Sequence, residues 1–236
     1  MHNLYYNISR LKHLCQSGYR KGHWVHSPFT YAILNNVIFE RSPYYSFEQI
    51  DKLSKNLTKR EINKSVINRR QRELLQRLCA YNDAKTIVEL NCGNALSTLY
   101  LASNSALSTV NTYETDEDMY NSADILIEKS LLKNIKLHKK DKDICYTKEL
   151  ENFTQIDILH INMCDDDIFK IYTTAKKRSN SSSIFIFSGI DQCRINREYW
   201  KKIIIDKNIS LSIEIFNMGI VWFNSEIPKQ HYKVAF

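Results

Sequence analysis

The sequence predicts an α/β fold: a doubly wound, mostly parallel sheet that closes in an antiparallel hairpin and carries an N-terminal helical extension. Three observations predict this fold. From residue 85 onward, short apolar runs alternate with amphipathic segments, which is typical of a parallel sheet covered by helices on both faces. Residues 1–78 show helical spacing and no strand alternation. Near the end, two strand-like runs flank Asn217-Met218-Gly219, which indicates a hairpin.

The N-terminal segment, residues 1–78, is predicted to form a helical extension of the domain at residues 79–236. Its first helix has apolar residues at helical spacing: Leu4, Ile8, Leu11 and Leu14. A second helix follows Pro28, and Ser46 is placed to cap a third. A basic helix is predicted over residues 59–78.

The domain at residues 79–236 is predicted to alternate strands and helices. The strands of the parallel part are predicted at residues 85–90, 109–114, 135–140, 156–162 and 182–188. Helices follow four of them, at residues 95–104, 119–132, 165–178 and 196–206. The hairpin strands are predicted at residues 209–216 and 220–224, and residues 231–236 extend the sheet edge.

Composition narrows the class of protein. Of 236 residues, 43% are hydrophobic and 25% charged, as in soluble globular proteins. No apolar run approaches the roughly 20 residues that cross a bilayer, and the N-terminus lacks the apolar core of a signal peptide. We therefore expect a cytoplasmic protein without a membrane partner. The six cysteines form no CxxC pair, so we expect reduced thiols and no zinc site. The net charge of +7 permits nucleic-acid or anionic-cofactor binding but demands neither.

A loop within VELNCGNALSTLYLA, residues 88–102, has the strand–turn–helix shape of a nucleotide-type cofactor site. The strand ends near Glu89, and Asn91, Gly93 and Ala95 stand at the positions where such loops carry glycine. Asparagine tolerates a positive φ, glycine allows close approach of a ligand, and alanine is accepted where helix and strand pack closely. The helix N-terminus offers amides to a carboxylate. From these residues alone, an ordinary turn and a cofactor loop both remain open.

Three segments resemble a bacterial group of class I S-adenosylmethionine-dependent methyltransferases. KGHWVHSPFTYAIL (21–34) is similar to the N-terminal KGHGxHSPF segment of that group. IVELNCGNALSTLYLA (87–102) is similar to its ELGTSLGxSTLYLA cofactor loop, and GIVWFNSEIPKQHYKVAF (219–236) to its closing strands. The resemblance spans nearly the whole chain. It implies a Rossmann-like methyltransferase sheet, S-adenosylmethionine as cofactor, and an unidentified methyl acceptor that we expect to be a small molecule.

The resemblance also implies which residues bind the cofactor: Glu89, Asn91, Gly93, Ala95, Glu114, Asp141 and Asn162. Glu114 ends the second strand, where an acid commonly accepts hydrogen bonds from both ribose hydroxyls; a solvated carboxylate is the alternative. Asp141 stands where the family addresses the adenine amino group, but it lies in KKDKD, so a solvated turn is also open.

Two acidic motifs of the group are absent. The fourth strand ends in Ile161-Asn162-Met163 instead of Ile-Asp-Gly, and the fifth in Phe187-Ser188-Gly189-Ile190 instead of Phe-Asp-Asp-Ile. In related O-methyltransferases such acids hold a divalent metal that orients the acceptor hydroxyl. A hard cation needs several oxygen ligands, usually anionic ones, so we expect no catalytic metal. The acids at 165–167 are instead expected to begin a helix.

The same departures remove the obvious general base. His23 and His26 are the remaining catalytic candidates, because His160 lies in a predicted central strand and is expected to be packed. His26 also belongs to a possible helix-entry turn with Pro28 at the first helical position. A metal pair of His23 and His26 has no apparent third ligand.

Three functions remain open from the sequence. The first is a metal-independent S-adenosylmethionine-dependent methyltransferase. The second is a catalytically inactive methyltransferase fold that acts as a binding module, because several motif positions depart from the family pattern. The third is nucleic-acid binding or modification through a basic stripe, although acids interrupt it: Lys59, Arg60, Lys64, Arg69, Arg70, Arg72 and Arg77.

Overall fold

One mixed sheet organises the protein. The computed structural model describes residues 2–17, 25–55, 57, 66–141, 146–162 and 168–236. Its strands are β1 (Thr86–Leu90), β2 (Thr109–Glu114), β3 (Ile135–Lys139), β4 (Ile158–Asn162), β5 (Ile184–Ser188), β6 (Leu211–Ile215), β7 (Met218–Trp222) and β8 (Gln230–Lys233). They form an eight-stranded sheet of order β3-β2-β1-β4-β5-β7-β6-β8. Strands β1 to β5 pair in parallel, β7 is antiparallel to β5 and β6, and β8 is parallel to β6. The predicted mostly parallel sheet with a closing antiparallel hairpin is confirmed.

Helices cover both faces of the sheet. They are α1 (His2–Gln16), α2 (Pro28–Ile33), α3 (Tyr45–Ser54), α4 (Arg69–Tyr81), α5 (Leu96–Ala102), α6 (Glu117–Ser130), α7 (Thr147–Glu151), α8 (Ile168–Lys176) and α9 (Arg194–Ile204), with a π-helical turn at Leu34–Ile38. Successive strand residues point to opposite faces: Ile87 packs in one core with Leu74 of α4, and Val88 in another with Ile171 of α8. None of the helices described is long and apolar enough to span a membrane.

The N-terminal segment shares its core with the sheet. Leu34 and Leu75 belong to the same buried cluster as Ile87 and Ile158, and α4 runs across residue 78 to Tyr81. The division into residues 1–78 and 79–236 stays a prediction.

The prediction of one continuous helix over residues 59–78 is wrong in its middle, although its second half is helical. The helix α4 begins only at Arg69, after non-helical residues 66–68. The Asn68 side chain accepts the Gln71 N–H at 3.0 Å, and the Gln71 side chain accepts the Asn68 N–H at 3.0 Å. This reciprocal capping box satisfies donors that a helix start leaves free, so it fixes the start at this point. Residues 58–65 lie outside the described residues.

The predicted cap of the third helix is also wrong. Ser46 lies inside α3, which begins at Tyr45, and no side chain caps its first turn. The Ser46 hydroxyl donates instead to the Gln76 side chain of α4 at 3.0 Å. A tertiary contact thus replaces the local one that the sequence favoured.

Candidate functional site

The loop after β1 lies at the edge of the sheet where the parallel strands end, which is where doubly wound sheets bind ligands. The three positions at which cofactor loops of this kind carry glycine all have a left-handed backbone: φ is 60° at Asn91, 61° at Gly93 and 61° at Ala95. A left-handed conformation costs about 1–2 kcal/mol for a residue with a Cβ atom. The chain therefore keeps the backbone path of a glycine-rich loop with only one glycine.

Gly93 is the open point of this loop. A Cβ atom placed on it would meet no other atom within 4 Å. Its N–H donates to Glu114 Oε2 at 2.6 Å, so the backbone is held from one side while space remains beside the α-carbon. This is the arrangement that a closely approaching ligand requires.

Glu114, at the end of β2, organises both the loop and the start of α6. Its Oε1 accepts the N–H groups of Thr115 at 2.8 Å and Asp116 at 2.9 Å. Burial raises the pKa of Glu114, although these amides and that of Gly93 counteract the rise. A carboxylate offers roughly four acceptor positions. Three are filled within the protein, which leaves capacity for one further strong hydrogen bond on Oε2.

Asn91 and Asn162 form a reciprocal pair that joins the ends of β1 and β4. Asn162 Nδ2 donates to the Asn91 carbonyl at 2.7 Å, and Asn91 Nδ2 donates to the Asn162 carbonyl at 3.2 Å. The Tyr146 hydroxyl donates to Asn91 Oδ1 at 2.5 Å. Asn162 Oδ1 is buried and has no hydrogen-bond partner among the residues described. Buried acceptors without a partner are uncommon in proteins, so this oxygen is available to a donor on a ligand.

Glu89 lies beneath this surface and is fully buried. Its carboxylate accepts the Thr98 hydroxyl at 2.5 Å and the Thr112 hydroxyl at 3.0 Å, and lies 3.0 Å from His160 Nδ1. His160 Nε2 lies 2.9 Å from the Ser188 hydroxyl. A buried carboxylate needs such partners. The network thus ties β1, β2, β4, β5 and α5 together behind the loop.

The packed position expected for His160 is confirmed, but its contact with Glu89 was not predicted. The two residues are direct partners in the β1–β4 register. The sequence did show an acid and a histidine in two central strands. Only the pairing and register of those strands reveal that the two side chains are in contact.

The remaining candidate residues are exposed or lie outside the described residues. Asp141 is exposed just beyond β3. His26 is exposed ahead of α2; there Ser27 accepts the Thr30 N–H at 3.3 Å and Pro28 begins the helix, as the predicted helix-entry turn required. His23 and the acids at 165–167 lie outside the described residues. Within the described ranges, no three His, Cys, Asp or Glu side chains are grouped so that they could hold a metal.

The arginines of the predicted basic stripe are engaged within the fold wherever they are described. Arg69 pairs with Asp51 at 2.7 Å, and Arg70 stacks 3.9 Å from the centre of the Phe236 ring. The contacts of the other two are also internal: Arg72 to the Ile67 carbonyl at 2.9 Å, and Arg77 to the Ser42 carbonyl at 3.4 Å. These internal contacts explain the positions of the four arginines, and none of them requires a phosphate ligand. Lys59, Arg60 and Lys64 lie outside the described part of the chain.

A second polar cluster, not anticipated from sequence, surrounds Glu214 of β6. Its carboxylate accepts from Arg197 at 2.7 Å and Trp200 Nε1 at 2.9 Å, and lies 3.5 Å from His13 Nδ1. Burial raises the pKa of Glu214, but hydrogen bonding to His13 and the charge of Arg197 outweigh burial and bring the pKa to about 2. The cluster joins α1, α9 and the far side of the sheet.

No protein-family model and no curated protein sequence matches the chain. Solved structures do match its fold. The O-methyltransferase TomG from Streptomyces achromogenes in complex with SAM has a TM-score of 0.61 and 12% identity, covering 88% of this chain and 100% of that one. The SAH complex of a Bacillus cereus O-methyltransferase has a TM-score of 0.59 and 17% identity, and the match covers 80% of this chain and 94% of that one. The SAH-bound methyltransferase PaMTH1 from Podospora anserina has a TM-score of 0.63 and 10% identity, and the match covers 85% of this chain and 97% of that one. The chain therefore has the class I S-adenosylmethionine-dependent methyltransferase fold.

Proposed function

We propose that the protein is an S-adenosylmethionine-dependent methyltransferase that acts on a small-molecule acceptor without a catalytic metal. One observation carries this proposal: the loop after β1 is left-handed at Asn91, Gly93 and Ala95, and Glu114 holds it open. An ordinary turn between strand and helix has no need for three left-handed residues in five, two of which carry a Cβ atom and therefore a conformational cost. The fold, shared with enzymes solved with SAM or SAH, supports the same conclusion.

The residues at the site fit the parts of this cofactor. Open space at Gly93 suits close approach of the methionine and ribose portions. Glu114 Oε2 can accept one ribose hydroxyl, rather than the two expected from sequence. Asn162 Oδ1 can accept an N–H or O–H donor from the ligand. Asp141 remains a proposed adenine contact from the edge of the site, while Glu89 acts only through the elements that it joins.

When bound, S-adenosylmethionine supplies an electrophilic methyl group on a sulfonium centre. Transfer is an in-line displacement, so the residues of this chain act mainly by holding the acceptor and the methyl group in line. Ser188 is fully buried and its hydroxyl is hydrogen-bonded to His160. The Asn162 amide donates a hydrogen bond to the Asn91 carbonyl. Neither offers an anionic oxygen to a hard cation, which supports the metal-free reaction. His23 and His26 remain proposed candidates for proton transfer.

A binding module without turnover is the second candidate. It is favoured by the fact that Asn162 and Ser188, which replace the acids of the resembling group, are both engaged in hydrogen bonds inside the protein. Such engagement suits a rigid binding surface as well as it suits an enzyme. Cofactor binding is common to both candidates, and a methyl-transfer assay separates them.

The first experiment is a calorimetric titration with S-adenosylmethionine and S-adenosylhomocysteine. We expect micromolar binding by the wild type and binding weakened by about 10–100-fold in Glu114→Gln, because a hydrogen bond to a charged group contributes about 1.5–3 kcal/mol. Glu117→Gln is the matched control, since Glu117 is an exposed neighbour that pairs with Lys139. We expect it to bind like the wild type. A wild-type protein that binds neither ligand at millimolar concentration would contradict the proposal.

A further inference from the structure

A groove of about 660 Å³ lies between α1 and the start of α9. Two contacts hold α1 in place beside it: His13 Nε2 donates to the Val234 carbonyl at 3.0 Å, and Tyr6 meets the Phe216 ring edge-on at 4.9 Å. The volume is in the range of small-molecule binding sites. Most of the lining residues have polar or charged side chains: Tyr5, Ile8, Ser9, Lys12, His13, Gln16, Asp191, Arg194, Arg197, Glu198, Lys201 and Lys233.

Positive charge predominates in this groove. Two of its cations, Lys12 and Arg194, are exposed and have no ion pair or hydrogen bond with any residue described. The first turn of α9 adds to the positive potential, because Cys193 provides no side-chain cap and the turn contains no acid. These features leave an unneutralised positive rim around the opening.

The acids of the groove are already neutralised. Asp191 lies 3.5 Å from Arg197 Nη1 and accepts the Asn217 N–H at 3.2 Å. Glu198 accepts from Lys201 at 2.8 Å. Most of their charge is therefore balanced by Arg197 and Lys201, although Glu198 also interacts with the charge of Arg194.

Arg197 is fixed at the inner wall. Its Nη2 donates to Glu214 at 2.7 Å, while Nη1 is buried without a hydrogen bond. Because Nη1 also lies 3.5 Å from Asp191 Oδ1, the guanidinium is paired with carboxylates of the protein on both sides. Arg197 therefore holds the inner wall in place and offers no free donor to a ligand.

The groove opens at the same edge of the sheet as the candidate cofactor loop. Asp191 follows Ser188, the last residue of β5, by three positions, a span of at most about 10 Å of chain. Ser188 is in turn the register partner of Asn162 at the end of β4. A small molecule anchored in the groove can therefore extend toward the place where methyl transfer is proposed.

We propose that this groove binds the anionic group, a carboxylate or phosphate, of the methyl acceptor. Lys12 and Arg194 contact the anion at the rim of the groove. The inference rests on the proposed methyltransferase function, which it deepens by assigning a class of acceptor.

Phenyl phosphate is the probe, and phenol is its uncharged counterpart. Amide signals of α1 and α9 are followed by NMR while each probe is titrated into the full-length protein. We expect phenyl phosphate to shift these signals to saturation and phenol to bind much more weakly. Lys12→Glu and Arg194→Glu should each weaken phenyl phosphate binding by about tenfold or more, because each removes a charged hydrogen-bond donor. Both residues are exposed, so the variants should fold.

Lys136→Glu is the control, because this substitution changes the net charge by the same amount. Lys136 is exposed on β3, the outermost strand on the side of the sheet away from β6 and β8. The substitution should leave binding unchanged. Equal weakening in Lys136→Glu, equal binding of phenol, or shifts that leave the signals of α1 and α9 unchanged would each overturn the proposal.

S-adenosylhomocysteine is titrated into the same samples. If the protein binds S-adenosylhomocysteine but not phenyl phosphate, the proposed anion site in the groove is wrong and the proposed methyltransferase function is unaffected. An intact phenyl phosphate site without S-adenosylhomocysteine binding refutes the proposed methyltransferase and shows an anion site independent of it.

Discussion

Asn91 and Ala95 hold backbone conformations that favour glycine, and each does so for a different reason. Asn91 is tied by its side chain to Asn162 and Tyr146, so hydrogen bonds offset its conformational cost. Ala95 is fully buried beside Cys92 and Ala123, so packing of its methyl group holds it. The sequence predicted the tolerance of asparagine for positive φ correctly. It could not reveal the partners of Asn91, which lie 55 and 71 positions away in the chain.

Replacing Asn91 separates these contributions. Asn91→Gly keeps the left-handed backbone accessible but loses the side-chain bonds, and we expect a loss of about 1–2 kcal/mol in the free energy of unfolding. Asn91→Ala loses the same bonds and adds the left-handed penalty, so the loss should be larger by about 1 kcal/mol. Urea denaturation measures both. Asn121→Ala, at an exposed position of α6, should change the unfolding free energy by less than about 0.7 kcal/mol. Equal stability of the glycine and alanine variants would refute the assigned strain.

Helix ends account for most of the differences between predicted and observed elements. The sequence indicated the amphipathic spacing of α4, but the capping box at Asn68 and Gln71 decided where the helix begins. The end of α6 shows a similar local effect. Leu131 follows the helix with a φ of 60° and its side chain is exposed. No packing compensates for this conformation, so the position carries a cost that glycine would remove.

Leu131→Gly should therefore stabilise the protein, by about 0.5–1 kcal/mol, because the left-handed penalty exceeds the greater entropy of glycine in the unfolded chain. Thermal unfolding gives the measurement. Ile205→Gly is the matched control: Ile205 is also an exposed aliphatic residue directly after a helix, but its φ is −83°. That variant should be destabilised by up to about 1 kcal/mol. A destabilised Leu131→Gly would contradict the argument.

At the scale of the whole molecule, alternation of strands and helices sufficed to predict the sheet, because a parallel sheet requires helical crossovers. The candidate site was predictable where its residues end strands, as Glu114 and Asn162 do. The Glu89–His160 contact depends on strand register, and the Glu214 cluster on the docking of α1 against α9. Local sequence patterns encode neither, since both join segments far apart in the chain.

The Glu214 cluster should make stability depend on acidity. The pKa of Glu214 falls from 4.5 to about 2 in the folded protein, so its contribution is complete above pH 4.5 and is lost as the pH falls toward 2. The shift corresponds to about 3 kcal/mol. Denaturation curves between pH 7 and 2 should show Glu214→Gln destabilised at pH 7 and less sensitive to acid than the wild type. Glu151→Gln, at an exposed position of α7, should follow the wild-type profile. Parallel profiles for wild type and Glu214→Gln would show that the cluster is not the source.

The reciprocal Asn91–Asn162 pair also constrains how this sequence can change. Asn162→Asp would restore the acid of the resembling group in one step, but it would replace the amide that donates to the Asn91 carbonyl at 2.7 Å with a carboxylate facing that oxygen. Two acceptors in contact repel each other, and the carbonyl loses its donor. An acid at position 162 therefore costs stability whichever residue stands at position 91, because the oxygen that it faces belongs to the backbone. The stability of the loop thus favours the asparagine at position 162 over a return to the acid.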